Sequence, residues 1–163
     1  MPRSKRLFMH AAFAFLALAL CFVAACGPPP PEETVGKFFN ALAEKDLNKA
    51  RQFLTGKALA THPAPGSQAS QIVFSMGKAF QGVDTLKVTD GRASGIVKLN
   101  GQLIAETLLK TSQKVLDDIK DPKVKQELLL QMKKGMEKIA VSYSRVPVKL
   151  IKKEQGWLIS DLR

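Results

Sequence analysis

The sequence predicts an α+β domain in which N-terminal helices pack against an antiparallel sheet and a second helix pair is inserted between the strands. Three observations carry this. Apolar residues between 31 and 82 recur at helical spacing. The segments around Asp90-Gly91 and at 143–162 alternate as strands do. Between those strand regions, residues 102–140 return to a helical pattern.

Residues 1–25 stand outside that domain. Arg3, Lys5 and Arg6 precede the apolar run "LFMHAAFAFLALALCFVAA", which falls short of the ~20 residues of a membrane span and has the charge order of a secretory signal. There is no Arg-Arg pair, so the general export route is expected. Val23, Ala24, Ala25 and Cys26 resemble, position by position, the bacterial lipobox, in which the cysteine is acylated and becomes the new N-terminus. Ordinary cleavage after Ala25 and an uncleaved anchor are the alternatives. Acyl chains contribute about 0.8 kcal/mol per buried methylene, so a multiply acylated Cys26 holds the protein on a membrane. Pro28 to Pro31 favour the extended polyproline conformation, a stiff spacer of roughly 12 Å. Residues 26–31 thus form a lipidated tether, and 32–163 the domain. In lipoproteins of this kind an Asp after the cysteine favours inner-membrane retention. Gly27 stands there, which implies the outer membrane, facing the periplasm, where the host has one.

Each element of the domain has its own signal. Pro31 suits the first helical position, Glu32 and Glu33 favour the positive end of the dipole, and Val35, Phe38, Phe39 and Leu42 form one apolar face. Asp46 caps a second helix, 47–55, burying Leu47, Ala50, Phe53 and Leu54. A Pro- and Gly-rich loop around His62 leads to a third helix over 68–82, with Ile72, Met76 and Phe80 in line and Gly82 stopping it. Asp90-Gly91 signals a hairpin. Asn100-Gly101 is a second signal of that type, but the Ala, Glu, Leu and Lys of "QLIAETLLK" favour a helix. Asp121 caps and Pro122 opens a last helix to about residue 140, with Val124, Leu128, Met132 and Ile139 on its apolar side. Leu130 projects among its lysines as a candidate contact for membrane or partner. Two strands close the chain, with Val146, Val148, Leu150, Trp157 and Ile159 facing inward.

Composition excludes several functions. The net charge of +11 becomes +8 once the three basic leader residues are gone, and 138 residues remain, enough for one domain. Cys21 leaves with the signal and Cys26 is acylated, so no pair remains for a disulfide. The mature chain keeps a single histidine, His62, expected on a surface loop, so neither a zinc site nor a Ser-His-Asp arrangement is expected. Phosphate-binding glycine motifs are absent. Basic charge without interleaved aromatics, in an exported protein, argues against nucleic acid. No cofactor, no metal and no catalysis are expected. The charge does bring a +8 domain close to headgroups, where anionic contact is expected to be weak and salt-sensitive.

"PEETVGKFFNALAEKDLNKARQFL" and "VKLIKKEQGWLISDL" resemble the ends of small bacterial lipoproteins with a lumazine-binding-like domain of unknown function, in the cystatin-like, nuclear transport factor 2-like superfamily. Phe38, Phe39, Asp46, Ala50 and Leu54 carry the opening, and Leu150, Lys153, Gly156 and Trp157 the closing strand pair, together about a third of the chain. The resemblance implies a curved antiparallel sheet wrapped around N-terminal helices, often with a ligand inside. Residues 102–140 depart from it, being longer and helical. Burying Leu108, Leu116, Ile119, Val124, Leu128 and Met132 requires a surface, and the sheet's concave face is nearest. The expected result is a lid over a pocket lined by Phe38, Met132, Met136 and Trp157. The function expected is that of a non-catalytic envelope lipoprotein binding a partner protein or small apolar ligand. A periplasmic lipid carrier and a divergent enzyme using Asp84 or Asp161 are the alternatives.

Overall fold

The computed structural model describes residues 29–67 and 69–163. The signal, Val23, Ala24, Ala25, Cys26 and Gly27 lie outside the described residues. Helix α1 (Pro31–Ala43) opens with Pro31 at its first position, where a missing N–H costs nothing. Pro31 is buried and belongs to the domain rather than to the tether. Val35, Phe38, Phe39 and Leu42 form the buried face. Phe38 meets Phe39 edge-on at 5.1 Å, and Phe39 stacks on Phe80 at 4.7 Å. The helix ends in a Schellman motif: Lys45, at φ 62°, donates its N–H to the Leu42 carbonyl, and the Asp46 N–H reaches the Ala41 carbonyl. Asp46 immediately caps α2 (Leu47–Arg51), its Oδ1 accepting from the Lys49 N–H at 2.9 Å.

Helix α2 is shorter than the predicted 47–55. Phe53 to Thr55 instead run along the edge of the sheet: the Ile159 N–H donates to the Phe53 carbonyl and the Thr55 N–H to the Ile159 carbonyl. Pairing of an exposed edge outweighed the helical pattern. A short helix, α3 (Gly56–Thr61), follows before the Pro-rich loop. Helix α4 (Ala69–Ala79) differs from expectation in its face and its end. Its buried residues are Ser70, Ser75, Gly77 and Ala79, while Ile72 and Met76 are half-buried. Gly77 lets α4 lie close on α1, since a Cβ there would stand 2.6 Å from the Leu42 carbonyl carbon. Phe80 and Gly82 belong to the first strand, because Phe80 pairs with Leu99.

Strands β1 (Phe80–Thr89), β2 (Arg92–Leu99), β3 (Arg145–Lys153) and β4 (Gly156–Leu162) form an open antiparallel sheet in that order. Asp90 and Gly91, at φ 47° and 72°, make the β1–β2 turn, which needs the left-handed region at both residues. Ala93, Val97, Leu99, Val146, Val148, Leu150, Trp157 and Ile159 are buried on one face, beneath α1 and α3. The α+β class and the inward strand residues are therefore as expected.

Helices α5 (Gly101–Leu116) and α6 (Pro122–Ser142) fill the β2–β3 connection. Asn100 acts as a cap, not a turn: its Oδ1 accepts from the Leu103 N–H at 3.1 Å. Asp121 Oδ1 does the same for Lys123 at 2.8 Å. The pair leaves and returns at one point, where the Leu99 N–H donates to the Ser144 carbonyl. It does not cover the sheet. Helix α5 packs on α4 and α6 on α5, so the pair extends the helical layer sideways and meets the sheet where α6 hands over to β3. Ile104, Ala105 and Leu116 of α5 are buried, but α6 buries no residue fully. Val124, expected on the apolar side, is exposed. The expected lid is thus corrected: α5 packs on α4 and not on the sheet face, which α1 and α3 already cover.

Candidate ligand cavity

The four residues expected to share a pocket do not meet. Trp157 is 8% exposed and part of the main core. Met136 lines a separate groove between α5 and α6, with Leu109 and Lys133, and Met132 is half-buried on α6. Phe38 alone reaches a cavity, and the sideways docking of α5–α6 is the reason.

That cavity, about 320 Å³, opens where four parts of the chain converge. Phe38 and Leu42 come from α1; Ala58 and Thr61 from α3, with His62 and Pro63 just beyond; Val73 and Met76 from α4. Tyr143, Val146, Leu162 and Arg163 close the other side. The walls are mostly apolar, with His62, Tyr143, Thr61 and Arg163 as the polar groups. The volume lies at the lower end of the range for small-molecule sites and equals about ten waters. Residues that failed to point into the α1 core therefore have another role: Met76 and Val73 line this space from α4, while Gly77 occupies the contact with α1.

His62 is not the surface histidine its loop suggested. Its Nε2 is buried without a hydrogen-bond partner among the described residues, and its ring lies 6.0 Å from that of Phe38. Burial lowers its pKa from the ordinary 6.5, with a smaller push from the Arg51 charge, so the neutral imidazole faces the cavity. The ring thus forms part of the cavity wall, with Nε2 set behind its accessible surface. The Pro63 and Pro65 turn that positions it carries no such signal in sequence. Thr61 is committed locally, its hydroxyl donating to the Lys57 carbonyl. Arg163, at the rim, pairs with Asp161 at 2.8 Å.

The acidic residues considered for catalysis are elsewhere or engaged. Asp84 lies on the opposite sheet face, 3.0 Å from Arg145 and 3.4 Å from Lys98. The Arg145 hydrogen bond, with Lys98, holds its carboxyl below the usual range. Asp161 is bound to Arg163. Among the described residues, no group of three His, Cys, Asp or Glu is placed to hold a metal, and no helix is long and apolar enough to cross a membrane. No family model matches this chain, and neither a curated protein nor a solved structure does.

Proposed function

We propose that this chain is a non-catalytic lipoprotein of the bacterial cell envelope, anchored through Cys26, that holds a small apolar ligand in the cavity beside His62. The observation that carries the reading is the cavity itself: a mostly apolar space of about 320 Å³ walled by Phe38, Leu42, Val73 and Met76, with the His62 ring among its walls. A small, mostly apolar ligand matches it, because such walls favour burial of apolar surface. Two features support a non-catalytic role. His62 has no carboxylate among the cavity's lining residues, and the cavity contains no serine or cysteine nucleophile. The helix-then-meander order is compatible with a cystatin-like, nuclear transport factor 2-like sheet, and the sequence resemblance at both ends favours that assignment.

Native mass spectrometry of the protein from its own host tests the ligand. A bound mass should accompany the wild type and be lost from Ala58→Leu, which fills the chamber without adding charge. A wild type that carries no additional mass would end the ligand reading. The anchor is tested separately: Cys26→Ser should leave the membrane fraction or retain the leader, and unchanged fractionation and migration would refute acylation.

A further inference from the structure

The sheet face opposite the helices carries a groove of about 510 Å³. Its position follows from strand register. Lys87 lies opposite Ser94, and Ser94 opposite Lys149, while one row nearer the hairpin tip Thr89 lies opposite Arg92. Lys87 and Lys149 therefore flank Ser94 from two strands apart, about 10 Å between backbones, with Arg92 on the next row. All three cations are exposed, and none forms an ion pair among the described residues. No carboxylate lines the groove. Two acids are registered on this face: Asp84 pairs with Arg145 and Lys98, and Asp161, which stands opposite Lys149, pairs with Arg163. Asp90 and Glu154 lie at the hairpin turns. Three cations outside any ion pair among the described residues thus converge beside the Ser94 and Thr89 hydroxyls, donors suited to a phosphate. Ile151 and Leu158, paired on the Arg92 row and half-buried, flank the groove with apolar surface.

We propose that this uncovered face seats on an anionic phospholipid surface, with a headgroup phosphate held by Lys87, Arg92 and Lys149. Charge complementarity and an open, helix-free face select a membrane over an enclosed solute site. The proposal rests on Cys26 anchoring only for proximity to the membrane, and it is read out at different residues, so the two fail separately.

The test is lysine acetylation footprinting of the full chain reconstituted in vesicles. In vesicles containing phosphatidylglycerol, Lys87 and Lys149 should label several-fold more slowly than in pure phosphatidylcholine, while Lys133 and Lys134 of α6 label equally in both. High salt should restore labelling. Arg92→Glu should restore it too, whereas Lys134→Glu should not; Arg92→Gln replaces Arg92→Glu where Trp157 emission reports misfolding. Equal labelling in both lipids, or protection spread evenly over the α6 lysines, would overturn the proposal. So would equal protection by inorganic phosphate alone, which would assign a soluble-phosphate site.

Discussion

His62 shows how one side chain acquires a role from its surroundings. Its neutral form is favoured because burial disfavours the imidazolium, so between the lowered folded value and 6.5 the unfolded chain binds more protons. The stability that His62 lends is complete above the ordinary value of 6.5 and is lost as pH falls through it toward the folded one. Replacing it by Gln should flatten the stability profile as pH falls below 6.5. Urea unfolding followed by Trp157 fluorescence measures this; parallel profiles for the two proteins would show that His62 titrates as in the unfolded chain. Asp84 acts in a separate and more acidic window. Its folded pKa lies below 3.8, so its contribution is present above that value and lost as pH falls further. The charge pattern of the loop gave no warning of His62. Its neighbours in space, Phe38 and Arg51, are remote in sequence.

Among elements, the contact of α4 on α1 decides much of the architecture. Gly77 sits where a Cβ would strike the α1 backbone at Leu42 and Ala43, whereas Gly36 in α1 has nothing within 4 Å of its added Cβ. The same substitution should therefore act in opposite directions. Gly77→Ala should destabilise by about 2 to 3 kcal/mol through overpacking, and Gly36→Ala should stabilise by about 0.5 to 1 kcal/mol through helix propensity. Denaturation midpoints read both signs, and a stabilising Gly77→Ala would mean that the two helices are not in contact there. Caps were legible at Asp46 and Asp121, whereas Asn100 read as a turn and proved to be a cap. Asp46, Asn100 and Asp121 each accept a hydrogen bond from a backbone N–H in the first turn of the following helix. Such bonds join atoms two or three residues apart, so they need nothing from the rest of the chain. Helix α4 was less legible because a face of Ser, Gly and Ala can be buried as closely as one of Ile and Phe.

At the scale of the molecule, the helices form a graded series away from the sheet. Helix α1 is anchored by fully buried aromatics, α5 by Ile104, and α6 by half-buried side chains such as Met132 and Ile139. Opening free energy follows buried apolar contact, so α6 should be the first long helix to open. Native-state hydrogen exchange should find the amides of 122–142 faster than those of Val146 to Leu150. Equal protection would place a further covering surface over α6. The exposure of Leu130, at 57%, and of Val141, at 75%, fits the outermost position.

The sequence by itself determined the α+β class, the Asp46 and Asp121 caps, the Asp90-Gly91 turn and the inward residues of the closing strands. These depend on spacing within a few residues and on hydrogen bonds across a single turn. Tertiary structure decided where Phe53 to Thr55 and Phe80 pair, which face of α4 is buried, and where the α5–α6 pair docks. It also decided that Phe38 faces His62 rather than Met136 and Trp157. Amphipathicity specifies that a face must be covered but not by what. Several apolar surfaces satisfy it nearly equally, and for α4 the close approach permitted by Gly77 selected the face that meets α1.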